Sequence, residues 1–568
     1  MATITKIWPF LLGLILSISL LWPLFWAPFF THHDDVSIIR LFEMDKCFKD
    51  GQIPCRWVPD LGGLYGYPLF NYYAPLPYYF GELIYFLTNN LIISVKVMFA
   101  FSFLGSYIFM YLLGTKFWGK LGGSLCAIFY SFAPYHALDF YVRGAMGEMW
   151  AMMFFPAILW SLTILKEKVN VSRMFLSAIF VALLFLSHNL SAMIFFPIII
   201  FWIIILFLKD KKIKFLWFSF LGLLLSILLS SFYLLPLISE KHLVHVDTQI
   251  SGYFGYTEHF KGFGELFLRR DWGYGASVRE VPGGEREEIS FQIGWVHLLG
   301  WMLAILSLWY FRKKNPWVSK LILSVSFVIF LSVFMIHPRS QIIWEIIEPL
   351  KYLQFPWRFL IIVILFISFL SGSALLALKE WKYKIFFLLI SLVVILNFAY
   401  FRPEKFIYVT DQSLLSGKDW ERQIKRSIFD FLPIFAKEPP ADLADERYKI
   451  LTGDTKISDY EEGTNWISFK ANVKTHTIVR LSQYYFPDWK VFVDSKPIDI
   501  DYKSSGLGLI TIILGKGEHI INARLYNTPV RNIGNGVSLV SFGLVIILYL
   551  LQFKKVRNWI LYYRKRIN

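Results

Sequence analysis

The chain repeats one pattern along most of its length: runs of roughly 20 apolar residues, each closed by a short cluster of lysines or arginines. Such a run spans the roughly 30 Å hydrocarbon core of a bilayer at about 1.5 Å per helical residue, so the pattern leaves few folds other than a bundle of membrane-crossing helices. At 56% hydrophobic and 17% charged residues, the sequence is too apolar for a soluble protein of 568 residues. The net charge of +16 points to no nucleic acid, because the cations sit between apolar runs, where membrane orientation requires them.

Successive loops must alternate sides, which tests the spans against the charges. About 12 helices with both termini cytoplasmic place every basic cluster on one side. These clusters are Lys116 and Lys120, Lys166 to Arg173, Lys209 to Lys214, Arg312 to Lys314, Lys379 to Lys384 and the tail from Lys554. The first segment, Trp8 to Phe30, exceeds the roughly 7 to 15 residues of a signal-peptide core and lacks a small-x-small cleavage site, so it reads as a retained helix. Pro75 to Leu87 is Pro-rich and too short to span, and reads as a re-entrant or interfacial helix on the outer face. The run Met174 to Leu208 would measure about 52 Å as one helix. It is broken at Ser187, His188 and Asn189, and polar groups at that depth must face protein or a wet cavity.

Three outer segments follow: Pro236 to Ser290, His337 to Pro356, and a hydrophilic block from Arg402 to Asn532. The second half of that block alternates apolar and polar residues in WISFKANV, HTIVRLSQYY, WKVFVD, LGLITIIL and HIINARLY, with turns at FPDW, DSKP and GKGE. This predicts a small antiparallel β-sandwich. The expected organisation is a transmembrane core over 1–401 with outer loops 31–90 and 236–290, a mainly β outer domain over 402–532, and a last helix with a basic cytoplasmic tail over 533–568.

The loop from Thr31 to Phe86 holds more chemistry than a connector needs. Asp34 and Asp35 lie just outside the first helix. A carboxylate there can act as a general base, and a pair can hold a divalent cation such as Mg or Mn through hard oxygen ligands; a solvated helix end is the bland alternative. Glu43, Asp45 and Asp60 read as surface or positioning residues. Cys47 and Cys55 form a disulfide in an oxidising compartment or stay free thiols, and Cys126 lies inside an apolar run. No CxxC or HExxH spacing supports a metal site of the zinc type.

A second constellation is APYHALDFYVRGAMGEMW. Here His136, Asp139 and Arg143 share one helix face at i, i+3 and i+7, and Glu148 opens the next helix across a Gly-bounded turn. It is either an ion-pair network that fixes the turn or an anion site, since the planar guanidinium of Arg143 suits phosphate. Arg358 in QFPWRFL marks the interfacial aromatic belt or binds a lipid phosphate. Arg270 and Asp271 in RRDWGYG sit in a loop resembling a carbohydrate or headgroup surface. The span centres hold almost no Asp, Glu, Lys or Arg, unlike ion-coupled transporters, and the polar residues gather on the outer side.

Taken together, GQIPCRWVPDLGGLYGYPLFNYYAPLPYY, APYHALDFYVRGAMGEMWA, SHNLSA, DWGYG, LQFPWRFL and YYFPDWKVFVDSKPI resemble the bacterial 6-pyruvoyl-tetrahydropterin synthase-related membrane proteins, relatives of the YfhO-like proteins in the GT-C glycosyltransferase superfamily. The resemblance covers nearly the whole chain and implies no pterin chemistry. It implies a GT-C-like helical core, a polyprenyl-phosphate-linked sugar donor held in the membrane, and inverting transfer to a glycan, lipid or protein acceptor. Asp34 or Asp35 would then be the base. Arg143 and Arg358 would bind the phosphate, with His136, Asp139, Glu148, His188, Asn189, Arg270 and Asp271 around it. The rival expectation is a non-catalytic transport or assembly factor for surface polysaccharide.

Overall fold

The computed structural model describes residues 4–278, 289–426 and 431–552. The 279–288 part of the second outer loop and the basic tail from Lys554 lie outside the described residues. Seven helices among them are long and apolar enough to cross a membrane, eight if the pair Ile213–Leu229 and Ser231–Ser239, bent by 75°, counts as one span. The architecture is multi-pass and helical as expected, while the number twelve is not reached on this criterion, because several apolar runs are broken.

The breaks have local causes. The first helix, Ile4–Ser19, stops early and restarts as Pro23–Trp26, since Pro23 has no N–H to continue the ladder. Leu91–Ser131 is continuous in name only: at Gly119 the backbone takes φ 71° and ψ 177°, and the chain folds back. A Cβ on Gly114 would stand 2.9 Å from the Gly123 Cα, so the two arms touch through glycines. The run 174–208 divides into Val171–Phe185 and Asn189–Phe207, with His188 capping the second helix through Ser191. Leu76–Thr88 is a 13-residue helix that buries Tyr78 and Gly81 and exposes Leu83, Phe86 and Leu87.

Three of the basic clusters, at Lys116, at Lys166 to Arg173 and at Lys209 to Lys214, meet at one end of the bundle. Lys116 and Arg173 both pair with Glu167, Lys166 and Lys212 with Asp210, and Lys209 lies over the Trp317 ring.

Among the described residues, ten strands lie at the other end. β1 (Phe29–Phe30) pairs with β2 (Phe406–Ile407), joining the end of the first helix to the hydrophilic block. The others are β3 (Tyr448–Thr452), β4 (Thr455–Glu462), β5 (Trp466–Val473), β6 (Thr477–Tyr484), β7 (Trp489–Val493), β8 (Lys496–Ile498), β9 (Leu509–Leu514) and β10 (Gly517–Leu525). They form two antiparallel sheets, in the orders β4-β5-β10-β7-β8 and β3-β6-β9, closed over one apolar core that includes Phe469, Val479, Leu481, Val491 and Ile521. The period-two burial of β5 and β6 is the alternation legible in the sequence. Asp494 and Ser495, both at positive φ, make the two-residue turn between β7 and β8.

The opening loop is clamped between bundle and sandwich. Cys47 and Cys55 are joined by a disulfide. Asp50 accepts hydrogen bonds from the Thr464 N–H at 2.7 Å and from Trp466 Nε1 at 2.9 Å, and Trp57 packs against Phe486 and Trp489. Burial pushes the Asp50 carboxyl up, but these hydrogen bonds outweigh it and hold it below its ordinary value.

Candidate functional site

A cavity of about 880 Å³ opens where the opening loop meets the helix ends. Asp34, Asp35 and Arg40 of the opening loop line it, and Arg143, Glu148, His188 with Asn189, and Trp357 with Arg358 line it from four other elements. Residues more than 300 positions apart thus share one chamber.

Its frame is built by backbone. The N–H groups of His33 and Asp34 donate to the carbonyls of Val142 and Arg143, at 2.9 and 2.8 Å. This approach needs Gly144: it sits at φ 65°, and a Cβ there would lie 2.3 Å from the His32 ring. His32 itself is buried against Phe29, Phe30 and Phe99. Asp34 and Arg143 are therefore fixed to one another through main chain.

The basic wall is a network. Arg143 donates from Nη1 to Asp139 and, at 3.0 Å, to Glu148 Oε2, and its guanidinium lies 4.6 Å over the Trp357 ring. Arg358 approaches the same Glu148 oxygen with Nε at 3.4 Å and donates from Nη1 to the Leu353 carbonyl and Gln354. Tyr135 donates to the other Glu148 oxygen at 2.6 Å. Glu148 holds both guanidinium groups at the cavity wall, and Asp139 lies behind Arg143, outside the lining. A pair of fixed, partly desolvated guanidinium groups can receive a phosphate or another oxyanion.

The acidic wall is paired too. Asp34 Oδ2 lies 3.7 Å from the buried Arg40, whose guanidinium covers the Tyr73 ring at 4.1 Å. Asp35 Oδ2 lies 3.7 Å from Arg422, on a helix of the hydrophilic block. Burial holds the Tyr73 phenol well above its ordinary value, partly offset by Arg40, so it is a neutral donor. Each aspartate thus faces a guanidinium, and no group of three or more His, Cys, Asp or Glu side chains suited to a metal ion occurs among the described residues. This donor set does not fit a divalent cation, which needs several oxygens and no cation beside them.

The remaining expected residues fall elsewhere. His136 does not join Asp139 and Arg143, because Leu138–Arg143 is wound as a π-helix, and the wider turn breaks the i, i+3, i+7 face. Its Nδ1 meets the Tyr130 carbonyl at 2.8 Å and its ring packs between Phe103 and Tyr130. Arg270 stacks on Trp295 and Asp271 pairs with Arg269, neither lining the cavity. Tyr274 of the same loop does approach it, its carbonyl 2.7 Å from His33 Nε2. Asn189 donates to the Tyr72 carbonyl and accepts from Tyr233, tying the helix break to the opening loop. Glu43, Asp45 and Asp60, expected at the surface or as positioning residues, are all buried. Burial first, then Asp60, holds the Glu43 carboxyl well above its ordinary value. Sequence reading passed over Arg40, Lys241 and Arg422; of these, Arg40 carried a signal, sitting one turn into the helix that succeeds the aspartates.

Fold and site define a multi-pass membrane protein with a charged chamber beside a β-sandwich. The family model described as 6-pyruvoyl-tetrahydropterin synthase related domain, membrane protein, matches residues 70–402. The chain belongs to that family. A protein of Lactococcus lactis subsp. cremoris (strain MG1363), named only as uncharacterized, is 24% identical over 249 residues, which is 41% of each chain. Among solved structures, ArnT from Cupriavidus metallidurans bound to undecaprenyl phosphate aligns at 13% identity with a TM-score of 0.41, over 68% of this chain and 63% of that one. The mycobacterial arabinofuranosyltransferase AftD aligns at 13% identity with a TM-score of 0.44, over 70% and 27%. The Archaeoglobus fulgidus oligosaccharyltransferase, in complex with Zn and sulfate, aligns at 13% with a TM-score of 0.41, over 73% and 54%. The chain spans less than two thirds of each of these relatives, and likenesses at this distance say nothing of donor or acceptor.

Proposed function

We propose that the chain is a GT-C-type glycosyltransferase that moves a sugar from a polyprenyl-phosphate carrier to a glycan, lipid or protein acceptor at the outer face of the cell membrane. The observation that carries this reading is the cavity itself, in which Asp34 shares one chamber with Arg143 and Arg358 while its main chain is bonded to the Arg143 carbonyl. Both termini are cytoplasmic in this reading, supported by the gathering of basic clusters at the end away from the sandwich. The Cys47–Cys55 disulfide suits an oxidising outer compartment.

The acceptor hydroxyl oxygen attacks the anomeric carbon as its proton passes to a carboxylate, and the bond from that carbon to the phosphate oxygen breaks. The lipid phosphate leaves with the electron pair, and Arg143 and Arg358 neutralise the charge that develops on it. Asp34 is the better placed base: its side chain is 39% exposed against 22% for Asp35, and it lines the cavity at the point where its own main chain is bonded to Arg143. Asp34→Asn should lower transfer from a polyprenyl-phosphate sugar about 100-fold to 10,000-fold with expression and thermal unfolding unchanged. Normal transfer by that variant rules out the assignment. Normal transfer by both Asp34→Asn and Asp35→Asn leaves the non-catalytic assembly factor as the better reading.

A further inference from the structure

The loop between Ser239 and Trp295 carries a chain of hydrogen bonds that ends at the cavity lining. His259, fully buried, donates from Nε2 to the Tyr253 carbonyl at 2.5 Å, and its Nδ1 lies 2.8 Å from the Ser277 hydroxyl oxygen. A carbonyl only accepts, so the ring proton sits on Nε2 and Nδ1 has a bare lone pair. Burial outweighs the backbone contacts at Tyr253 and Ser277 that favour a charged ring, and holds the imidazole below its ordinary value, so it stays neutral. The Ser277 hydroxyl therefore donates to Nδ1. Its proton is committed there, and its oxygen, also approached by the Tyr253 hydroxyl at 3.4 Å, keeps acceptor capacity at the lining of the cavity. The His259 ring also meets the aromatic shelf that carries the arginines. It stands edge-on to Phe355 with centroids 4.6 Å apart, and Phe355 stacks on Trp357 at 4.8 Å. Arg358 and Arg143 lie over those two rings, at 4.9 and 4.6 Å. Gln354, which accepts from Arg358, donates to Gln249 at 2.8 Å and ties the same loop to the shelf.

We propose that Ser277 reads the transferred sugar, accepting a hydrogen bond from one of its hydroxyl groups while the two arginines hold the carrier phosphate. The inference rests on the glycosyltransferase reading and adds a specificity-determining residue to that same site. Polarity selects the occupant. A phosphate or carboxylate oxygen at Ser277 would set lone pairs against lone pairs, whereas a sugar hydroxyl brings the proton that the serine has committed to His259. Position selects it as well, because the arginines and His259 share one shelf, so the group that reaches Ser277 is a neighbour of the phosphate. On its two sides that phosphate carries an apolar chain and a sugar, and the sugar is the one with donors. The bond from His259 to the Tyr253 carbonyl polarises the serine hydroxyl and strengthens it as an acceptor.

The test measures binding to the full chain in nanodiscs by native mass spectrometry. The probes are decaprenyl phosphate, its glucosyl ester, and the deoxyfluoro analogues of that ester with fluorine in place of each sugar hydroxyl in turn. Fluorine matches a hydroxyl in size and has no proton to donate. In the wild type one fluorinated lipid should bind about tenfold more weakly than the parent ester, the effect of leaving one acceptor bare. That difference should vanish in Ser277→Ala. Ser277→Cys, which fills the same space with a weak acceptor, should shrink it and decides the matter if Ser277→Ala does not fold. Equal binding of all the glucosyl lipids by the wild type overturns the proposal, and so does a difference that the substitutions leave intact; in both cases binding of the carrier phosphate keeps the transferase reading standing. A wild type that binds no decaprenyl phosphate removes that reading and the proposal with it.

Discussion

Two buried charge clusters sit near the sandwich end of the bundle, and they differ in what they face. Arg143, Arg358 and Glu148 stand at the wall of the cavity with Asp139 behind Arg143, and both arginines line open space. Arg56, Asn71, Glu240 and Arg531 meet where the opening loop, the bent helix and the last helix converge, and none of them lines the cavity. In the second cluster the carboxylate is saturated: Glu240 accepts from Arg531 Nε at 2.9 Å, from Asn71 at 3.0 Å and from Thr528 at 2.5 Å. Arg56 donates to Asn71, to the Phe232 carbonyl and to Asn535, and burial, helped by the nearby Arg531, pulls it down to about 10. A cluster that closes on itself holds elements together; one that keeps its cations at a chamber wall can hold a ligand.

The sharpest way to break that comparison is to remove one partner from the closed cluster. Glu240→Ala leaves Arg531 buried without its carboxylate and should cost about 3 to 5 kcal/mol, read as a large fall in thermal unfolding temperature of the purified chain. Pairing it with Arg531→Met should recover part of that loss, because the uncompensated charge is then gone. A single variant as stable as wild type makes the cluster ornamental.

The open cluster should respond in the other sense. Arg358→Gln should lower transfer about 100-fold to 1,000-fold, the effect of deleting one donor to a developing oxyanion. Its stability loss should stay smaller than that of Glu240→Ala, because Arg143 still neutralises Glu148. Weakened binding of polyprenyl phosphate by this variant, measured by native mass spectrometry, separates a ligand role from a structural one. Unchanged binding and transfer with a large fall in stability would make the two clusters the same kind of object.

Much of the fold was legible because a bilayer imposes a length and a charge rule on sequence. The helix break at His188, the strands from Trp466 to Leu525 and the short helix after Pro75 all come from run length, alternation and polar interruptions. Strands β3 and β4 were less visible, since their residues are mostly exposed and YKILT and TKISDYEE carry little alternation. The charged face of His136, Asp139 and Arg143 was read at α-helical spacing, and the π-helical winding moved His136 out of it. The closed cluster was invisible because Arg56, Glu240 and Arg531 lie far apart in sequence, each an ordinary charge in a loop or at a helix end. Arg422 escaped notice for the same reason, as only the folded chain brings it to Asp35.

A third arrangement bounds the comparison from below: an acid buried with no guanidinium of its own. Glu82 lies on the short helix Leu76–Thr88, and its Oε2 meets no hydrogen-bond partner among the described residues. Burial, and then the neighbouring Asp45, push its carboxyl up to about 7, with Lys49 opposing them but already bonded to Asp45 at 2.7 Å. The folded chain therefore keeps this proton at pH values where the unfolded chain, near 4.5, has released it. Between those values folding binds a proton, so stability is full below about pH 4.5 and falls as pH rises through about 7. The loss should be on the order of 1 kcal/mol, since solvent screening reduces the effect of a group at the edge of the packed region. Thermal unfolding followed from pH 4.5 to 8 should show that decline in the wild type and a flatter profile in Glu82→Gln. His519 in the sandwich, raised by Asp494, adds a decline of the same sign, so the quantity that decides is the difference between the two profiles. Parallel profiles would show that Glu82 titrates as an ordinary surface acid, and that burial without a guanidinium partner leaves no mark on the stability of this end of the bundle.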